Sequence, residues 1–285
     1  MAKAEMTGDL PGPPELVTAN LQMAGPDWEL QAKMSVPAGP THLGDLLPLI
    51  QGFADAVVGS AIKEVEARGE KISCKKGCGA CCRQLVPIAE VEARRLHALV
   101  EHLPEPQRRK IRARFAEARL RLEGGGLLDK LQHPDGWSEG EGRAIGLEYF
   151  GQGIPCPFLE EESCSIYADR PVACREYLVT SPPENCARPS AKTVACVKLP
   201  FKVWTAIARF DKVPLSSRFI RWVPLILALT WAEDHLDELP PRLGPNMLGE
   251  FLDHVAGKGQ SQTGAVRSPF DEAPVAASPL EEARR

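Results

Sequence analysis

The sequence lacks the features that mark secreted, membrane-spanning and nucleic-acid-binding proteins. No apolar segment follows the opening Met-Ala-Lys-Ala-Glu-Met, so nothing there indicates a secretory signal. The apolar run from Trp222 to Ala232 is too short to cross a bilayer. The formal net charge is −4, which gives no electrostatic reason to expect nucleic acid or an anionic membrane as a partner. We therefore expect a cytoplasmic protein that binds neither.

Common catalytic and nucleotide-binding motifs are also missing. We find no serine nucleophile elbow, no paired-carboxylate pattern and no dinucleotide fingerprint. Gly124-Gly125-Gly126 follows a predicted helix rather than a strand and carries no Lys-Ser/Thr pair, which argues against a phosphate-binding loop. None of the six histidines stands at a metal-motif spacing. Whether the protein is an enzyme is open on this basis.

Cysteine, in contrast, is abundant, and eight of the nine cysteines fall into two blocks. The first block is Cys74-Lys-Lys-Gly-Cys78-Gly-Ala-Cys81-Cys82, in which Cys78 and Cys81 have the spacing of a metal-binding knuckle. Its glycines allow tight turns, and the neighbouring basic side chains favour the thiolate form that binds metal. The second block supplies Cys156, Cys164, Cys174 and Cys186.

All eight of these cysteines are predicted metal ligands, because a reducing cytoplasm disfavours disulfides. Thiolates suit zinc and also iron, including iron held in a four-iron, four-sulfide (4Fe-4S) cluster. Only Cys78 and Cys81 form a regular knuckle, and the irregular spacing of the others favours a cluster. Adjacent side chains such as Cys81 and Cys82 diverge, so the eight thiols make either two four-thiolate sites or one cluster with spare thiols. Cys196 stands alone in an apolar stretch and is predicted to be a buried structural thiol, not a ligand.

Together the two blocks resemble the bacterial cysteine-cluster family of zinc- or iron-chelating domains, the YkgJ type. The resemblance covers roughly residues 70–190 and rests on Cys78-x-x-Cys81-Cys82, Cys156-Pro-Phe-Leu, Cys164-x-Ile-Tyr and Arg170-Pro171-x-x-Cys174-Arg175. The family usually has two residues between its first two cysteines, whereas Lys75, Lys76 and Gly77 make three here, so Cys74 departs from the family pattern. The resemblance implies metal binding and says little about a reaction.

Two further functions follow from the same residues. The cysteine pattern is also similar to that of flagellin lysine N-methylases, which use S-adenosylmethionine, although no methyl-donor site is recognisable. The other function is a structural zinc module that presents a basic helix over residues 107–122 to a protein partner. A solvated, ion-paired helix face explains the same basic residues more simply.

Helical periodicity predicts a mainly α fold with one domain over residues 41–256 and loops tied together by the cysteine cluster. Residues 1–40 form an arm that is partly disordered, with a small hairpin of Val17–Met23 and Trp28–Val36, and residues 257–285 form a disordered tail. Residues 137–155 are predicted as loop. The predicted helices span residues 43–68, 87–102, 107–122, 201–210, 224–239 and 246–255, with another that starts at Asp169 and places Cys174 in its first two turns.

Overall fold

The computed structural model describes residues 15–26, 28–134, 137, 140–189, 193–210, 221–237 and 239–257. Within these ranges the chain forms nine α-helices and four two-stranded antiparallel sheets. The expected mainly α fold with a small N-terminal hairpin is therefore confirmed. The predicted disorder before Glu15 and after Gly257 falls outside the described residues.

Helix α1 (Leu43–Ala67) is the longest described element, and it continues without a break past Pro48. Its apolar stripe is buried against the hairpin and two other helices. Gly69 adopts a φ of +78° just after the helix, a left-handed conformation that commonly ends helices. By length and hydropathy alone α1 could also cross a membrane, but a core helix passes the same test.

The N-terminal hairpin lies on α1. Strands β1 (Leu16–Ala24) and β2 (Glu29–Pro37) pair in register from Leu16 opposite Pro37 to Ala24 opposite Glu29. Leu30, Met34 and Val36 of β2 are buried in the core. Side chains on one face of a strand recur at every second residue, so these three define the buried face of the hairpin. Gly25 and Pro26 follow β1, and the backbone N–H of Gly25 donates to the carbonyl oxygen of Trp28 over 2.9 Å.

Helices α2 (Glu90–Glu101) and α3 (Glu105–Gly124) build a second core beside the cysteine loops. The predicted helix start at Pro87 is wrong, because Pro87–Ile88 forms strand β4 and pairs with β7 (Val223–Pro224). Helix α2 begins three residues later, where the side chain of Glu92 accepts a hydrogen bond from the backbone N–H of Ala89. The second core includes Leu96, Phe115, Phe158 and Leu229.

The predicted loop over residues 137–155 is wrong, because α5 (Glu141–Gly151) lies within it, after a short α4 (Leu128–Gln132). Helix α5 has a weak sequence signal: its buried side chains are Ile145 and Tyr149, four residues apart, while most of its other side chains are exposed or half-buried. Two side chains on one face are too few to reveal a helical period against the polar and glycine residues around them.

The C-terminal elements complete both cores. They are α7 (Val203–Phe210), a 3-10 turn (Leu225–Leu227), α8 (Ala228–Asp234), β8 (Arg242–Leu243) and α9 (Gly244–Val255). Helices α7 and α9 pack in the main core, and α8 packs in the second. The predicted helix over residues 224–239 is thus shorter and starts as a 3-10 turn. Strand β8 pairs with β3 (Pro40–Thr41), which brings the start of α1 next to the start of α9. Phe251 of α9 packs edge-on against Phe53 of α1, with ring centroids 5.8 Å apart.

Candidate metal centre

The first cysteine block forms a tight loop after α1. Gly77 has a φ of +86°, and the backbone N–H of Cys78 donates to the carbonyl oxygen of Lys75 over 3.1 Å. A 3-10 turn then follows over Ala80–Arg83, and the N–H of Cys82 donates to Gly79 over 3.0 Å. The left-handed glycine and the two turns hold four thiols within one short stretch of chain.

The second block begins where the chain meets the first. The backbone N–H of Cys156 donates to the carbonyl oxygen of Cys82 over 2.7 Å. The chain then forms a hairpin of β5 (Leu159–Glu160) and β6 (Ser163–Cys164). Cys164 lies opposite Leu159 in this hairpin, so the hairpin returns Cys164 toward Cys156. The predicted meeting of the two blocks is therefore seen in the described residues.

The hairpin turn packs directly on the first block. Its two turn residues, Glu161 and Glu162, have φ values of 48° and 57°. Residues other than glycine, asparagine and aspartate seldom adopt such positive φ angles. The carboxylate of Glu162 forms an ion pair with Arg83 at 2.7 Å. A Cβ on Gly79 would lie 2.7 Å from a carboxylate oxygen of Glu162, so only glycine permits this approach.

Cys174 is supplied by α6 (Val172–Glu176), which starts at Val172 rather than at the predicted Asp169. A separate 3-10 turn over Tyr167–Asp169 precedes the helix. The two helical segments are not continuous, because Pro171 between them has no N–H to donate to a preceding turn. Cys174 lies in the first turn of α6, and its N–H donates to Pro171 over 3.0 Å. The predicted place of Cys174 near a helix start is correct.

Two buried charged side chains position α6. Glu92 of α2 accepts the N–H of Val172 over 2.7 Å in addition to that of Ala89, so one carboxylate joins the starts of two helices. Arg175 donates to the carbonyl oxygen of Arg170 over 2.8 Å and pairs with Asp55 of α1 over 2.7 Å. The sequence gives no signal for Glu92, because its partners come from tertiary packing.

Four thiols share the inner side of the site, and we call Cys81, Cys156, Cys164 and Cys174 the interior thiol group. The last three pack against the second core. Burial raises the pKa of Cys156 to about 12, with smaller contributions from negative charge on Cys164 and Cys81. Burial likewise raises the pKa of Cys174, and charge on Cys156, Cys81 and Cys164 adds to it. These thiols thus lie close enough to influence one another.

A second set lies on the outer side, and we call Cys74, Cys78, Cys186 and Cys196 the outer thiol group. The sulfur of Cys74 accepts the backbone N–H of Val179 over 3.4 Å. Cys186 is only 4% exposed and lies in a 3-10 turn, Pro183–Ala187, that packs against Ala80–Arg83. Cys196 is exposed, so the prediction of a buried thiol is wrong, and it forms a single antiparallel bridge with Val179.

Cys82 belongs to neither group. Its thiol is hydrogen-bonded to that of Cys81, and this bond, followed by burial, raises the pKa of Cys81. Its carbonyl oxygen accepts the N–H of Cys156. A hydrogen bond between the two thiols does not fit the predicted divergence of these adjacent side chains. Negative charge on Cys81 also contributes to the raised pKa values of Cys174 and Cys186.

The cysteine thiols suit a soft cation by their chemistry, but they are not arranged around one metal position. All nine cysteines are free thiols. Among the described residues, no set of three or more His, Cys, Asp or Glu side chains has the arrangement that would hold a metal ion. Metal sites commonly assemble on binding, when deprotonated ligands draw together around the ion. The thiols therefore fit zinc or iron by their chemistry, and binding requires the loops that carry them to draw together.

These observations define a thiol-rich chelating module held on a helical scaffold. Residues 73–197 match the CxxCxxCC family, described as "Putative zinc- or iron-chelating domain". The match supports the predicted family resemblance and metal binding in general. It spans all nine cysteines. No curated protein and no solved structure matches the chain, and the similarity to flagellin lysine N-methylases is not shown.

Proposed function

We propose that this protein is a cytoplasmic metalloprotein whose interior thiol group holds an iron–sulfur cluster. The observation that carries the proposal is the main-chain contact between Cys82 and Cys156, which joins the two cysteine blocks at a place where four partly buried thiols come from three segments of chain. A metal that joins these segments would stabilise the domain, as structural metals do in small folds.

The surroundings of the interior thiol group favour a cluster over a single zinc ion. Structural zinc sites are normally built from pairs of regular knuckles, and the three ligands after Cys81 are not arranged in that way. Phe158, next to Cys156 in space and sequence, is 1% exposed and packs edge-on against Phe115 at 5.5 Å. Such an apolar wall restricts water, which protects iron–sulfur clusters and tunes their potential.

Positive charge is available to offset the charge of the thiolates. Arg170 lies where its charge lowers the pKa of Cys164, although burial raises that pKa by more. Its guanidinium also lies over the ring of Tyr167, 3.7 Å from the ring centre. When bound, an iron–sulfur cluster supplies one-electron transfer or structural support. The chain's own part is to supply thiolates, nearby positive charge and an apolar wall.

The basic helix is less suited to a protein partner than its composition indicates. Lys110 and Arg114 both pair with Glu160 of the cysteine hairpin, at 3.0 and 3.2 Å. Arg112 pairs with Glu101 and Glu233 in the same way. These charges are used within the domain, so the ion-paired interpretation of the helix is favoured over a presented surface.

The proposal is tested on protein purified without air. We expect a broad absorption band at about 400 nm, with iron and acid-labile sulfide in the same preparation. Cys164→Ser should lose the band and most of the iron, whereas Ser163→Ala, one residue away in the same strand, should keep both. A colourless wild-type protein with stoichiometric zinc would exclude the cluster, and absence of any bound metal would refute the metalloprotein itself.

A further inference from the structure

The outer edge of β1 presents a row of main-chain hydrogen-bonding groups. Within the described part of the chain, β1 pairs with β2 alone. At one end of the hairpin the N–H of Gly25 donates to Trp28, and at the other end the N–H of Ala38 donates to Glu15. Given the register, the odd-numbered residues of β1 therefore exchange hydrogen bonds with β2, and the even-numbered residues direct their N–H and C=O groups outward. These outward residues are Leu16, Thr18, Asn20, Gln22 and Ala24.

Strand β1 lacks the features that usually keep an exposed sheet edge from pairing. None of its nine residues, Leu16–Ala24, is charged, and none is proline or glycine. Its register with β2 continues from end to end without a bulge. Short length, charged side chains, proline and bulges are the common protections of an edge strand. An edge without them is a template for another strand.

The opposite edge of the hairpin is covered by helices at both of its ends. The hydroxyl of Ser60 in α1 donates to the carbonyl oxygen of Glu29 over 2.8 Å. At the other end, Gly244 at the start of α9 lies so close to Pro37 that a Cβ there would overlap the carbonyl oxygen of Pro37. Helices α1 and α9 contact β2 more extensively than β1. The space beside β1 is therefore not taken by these two helices.

We propose that the outer edge of β1 binds β1 of a second copy of this chain, which gives a two-fold symmetric dimer with a continuous four-stranded sheet. The two-fold axis passes through Asn20, so that the two copies of Asn20 lie opposite each other. Each outward residue then exchanges two main-chain hydrogen bonds with its opposite residue. A two-fold contact of this kind uses the same surface on both chains and closes as a dimer. The proposal is independent of the metal that the cysteines bind.

The side chains of β1 are complementary to their own copy in this alignment. Ala19 lies opposite the partner's Leu21 on the inner face, and Thr18 lies opposite the partner's Gln22 on the outer face. Apolar side chains thus meet apolar ones, polar side chains meet polar ones, and no two charges are brought together. Opposite side chains on one face of a sheet are the pairs that stabilise it. This match favours a second copy over a strand that carries charged residues.

Pairing would also cover the rim of the main core. Ala19, Leu21 and Met23 are half-buried and pack against the core from the inner face of β1. Val17 on the same face is 41% exposed, and in the dimer it lies opposite the partner's Met23. The partner's strand therefore extends the apolar inner face of the hairpin. A slip of one residue would turn these side chains to solvent, so the inner face also fixes the register.

The first test measures the mass of the full chain by sedimentation equilibrium over a wide range of protein concentration. Reductant is present, so that disulfides between free cysteines cannot join two chains. We expect wild type to form a concentration-dependent dimer. Asn20→Pro removes the hydrogen bonds at the two-fold axis and none to β2, so it should lose the dimer.

Gln31→Pro is the matched control, because the N–H of Gln31 in β2 points away from β1. This variant places the same residue on the opposite edge of the hairpin and should keep the dimer. A wild-type protein that is a monomer at every concentration would overturn the proposal. A dimer that persists in Asn20→Pro would overturn it too, because the contact would then lie on another surface.

The second test uses the wild-type protein alone and follows hydrogen exchange of single amides by NMR. The amide of Leu21 bonds to β2 and should be protected at every concentration. The amides of Thr18 and Asn20 should become protected only at concentrations where the dimer forms. Exchange at Thr18 and Asn20 that does not change on dimerisation would refute the β1 contact. Protection of both amides in the monomer would show that the chain covers this edge itself, for example with residues 1–14, and would refute the contact equally.

Discussion

Cys156 donates its backbone N–H to the carbonyl oxygen of Cys82 over 2.7 Å, so the two cysteine blocks are joined through their main chains as well as through any metal. The contact uses no thiol atoms. Serine substitutions of single cysteines therefore leave it intact, and a loss of metal in such variants reports on the thiol itself.

Gly79 packs closely against the cysteine hairpin, and Gly79→Ala should weaken both stability and metal binding. The new Cβ would lie 2.7 Å from a side-chain atom of Leu159 and 3.1 Å from the Cα of Glu162. Moving the hairpin to relieve these contacts should cost about 1–3 kcal/mol. Urea unfolding and metal analysis would measure the two effects.

Gly59→Ala is the matched control, because nothing lies within 4 Å of a Cβ at this position in α1. It should stabilise the protein by about 0.5–1 kcal/mol through the higher helix propensity of alanine. Equal stability and full metal in Gly79→Ala would show that the hairpin does not depend on this close approach.

The hairpin turn should be improved by Glu161→Asn. Glu161 has a φ of 48°, in the left-handed region that asparagine tolerates better than glutamate. We expect a gain of about 0.5–1 kcal/mol in the free energy of unfolding. Glu161→Gln keeps the strain while removing the charge, so a gain of the same size in that variant would assign the effect to charge instead.

Glu92→Gln should destabilise the protein at neutral pH. The two carboxylate oxygens accept separate N–H groups, from Ala89 and Val172, and glutamine offers only one acceptor. A buried N–H that faces an amide NH2 group costs about 1–3 kcal/mol. Denaturant unfolding measures the loss, and the exposed Glu123→Gln in α3 should change stability little. A Glu92→Gln variant as stable as the wild type would contradict the shared-cap role.

The same variant gives a pH test on reduced, metal-free protein. Burial raises the pKa of Glu92 from 4.5 to about 6 despite its two backbone hydrogen bonds. The folded state therefore binds this proton more tightly than the unfolded state, so the contribution of Glu92 to stability falls as the pH rises through that interval. The stability advantage of wild type over Glu92→Gln should be larger at about pH 5 than at about pH 7. An equal difference at both pH values would refute the raised pKa.

Arg175→Lys should loosen α6 and lower the metal content. The guanidinium bonds the carbonyl oxygens of Arg170 and Ala168 while it pairs with Asp55, and its side chain is only 7% exposed. A lysine cannot reach all three partners, and the loss should be about 1–3 kcal/mol.

Asp55→Asn removes the ion pair with Arg175 and leaves in place the hydrogen bonds from Arg175 to the two carbonyl oxygens. The Asp55 side chain is 54% exposed, and exposed ion pairs contribute only about 0–1 kcal/mol. We expect Asp55→Asn to be nearly neutral in thermal and urea unfolding. A larger loss in Asp55→Asn than in Arg175→Lys would mean that the ion pair, not the carbonyl bonds, anchors α6.

Local sequence signals were sufficient to predict an element where it has a wide apolar face or a clear boundary. Helix α1 shows an apolar period along its length and ends before Gly69, and the N-terminal hairpin was confirmed from its two apolar runs. Helix α5 was missed because it buries little besides Ile145 and Tyr149. Pro87 resembles a helix start in sequence, but its strand partner Pro224, far along the chain, decides its structure.

At the candidate site, sequence spacing identified the two blocks but not how their thiols are divided. The eight proposed ligands remain predictions, and their separation into interior and outer groups depends on tertiary contacts such as the bridge between Val179 and Cys196. Cys196 looked buried because its neighbours Val194, Ala195 and Val197 are apolar, yet the segment lies at the surface. An apolar stretch is a weak sign of burial when only one bridge fixes it.

The links around the thiols also bear on the order of assembly during synthesis. A hydrogen bond joins Ser73 to Thr180, 107 residues later in the sequence, and another joins Cys74 to Val179, 105 residues later. Closing such long loops costs chain entropy before any contact is gained, so helices such as α1 form earlier than the cysteine loops. The interior thiols cannot meet until the chain past Cys174 has left the ribosome, and the outer thiols must wait for Cys196. We therefore expect metal to be acquired late, after α1 to α6 have been synthesised.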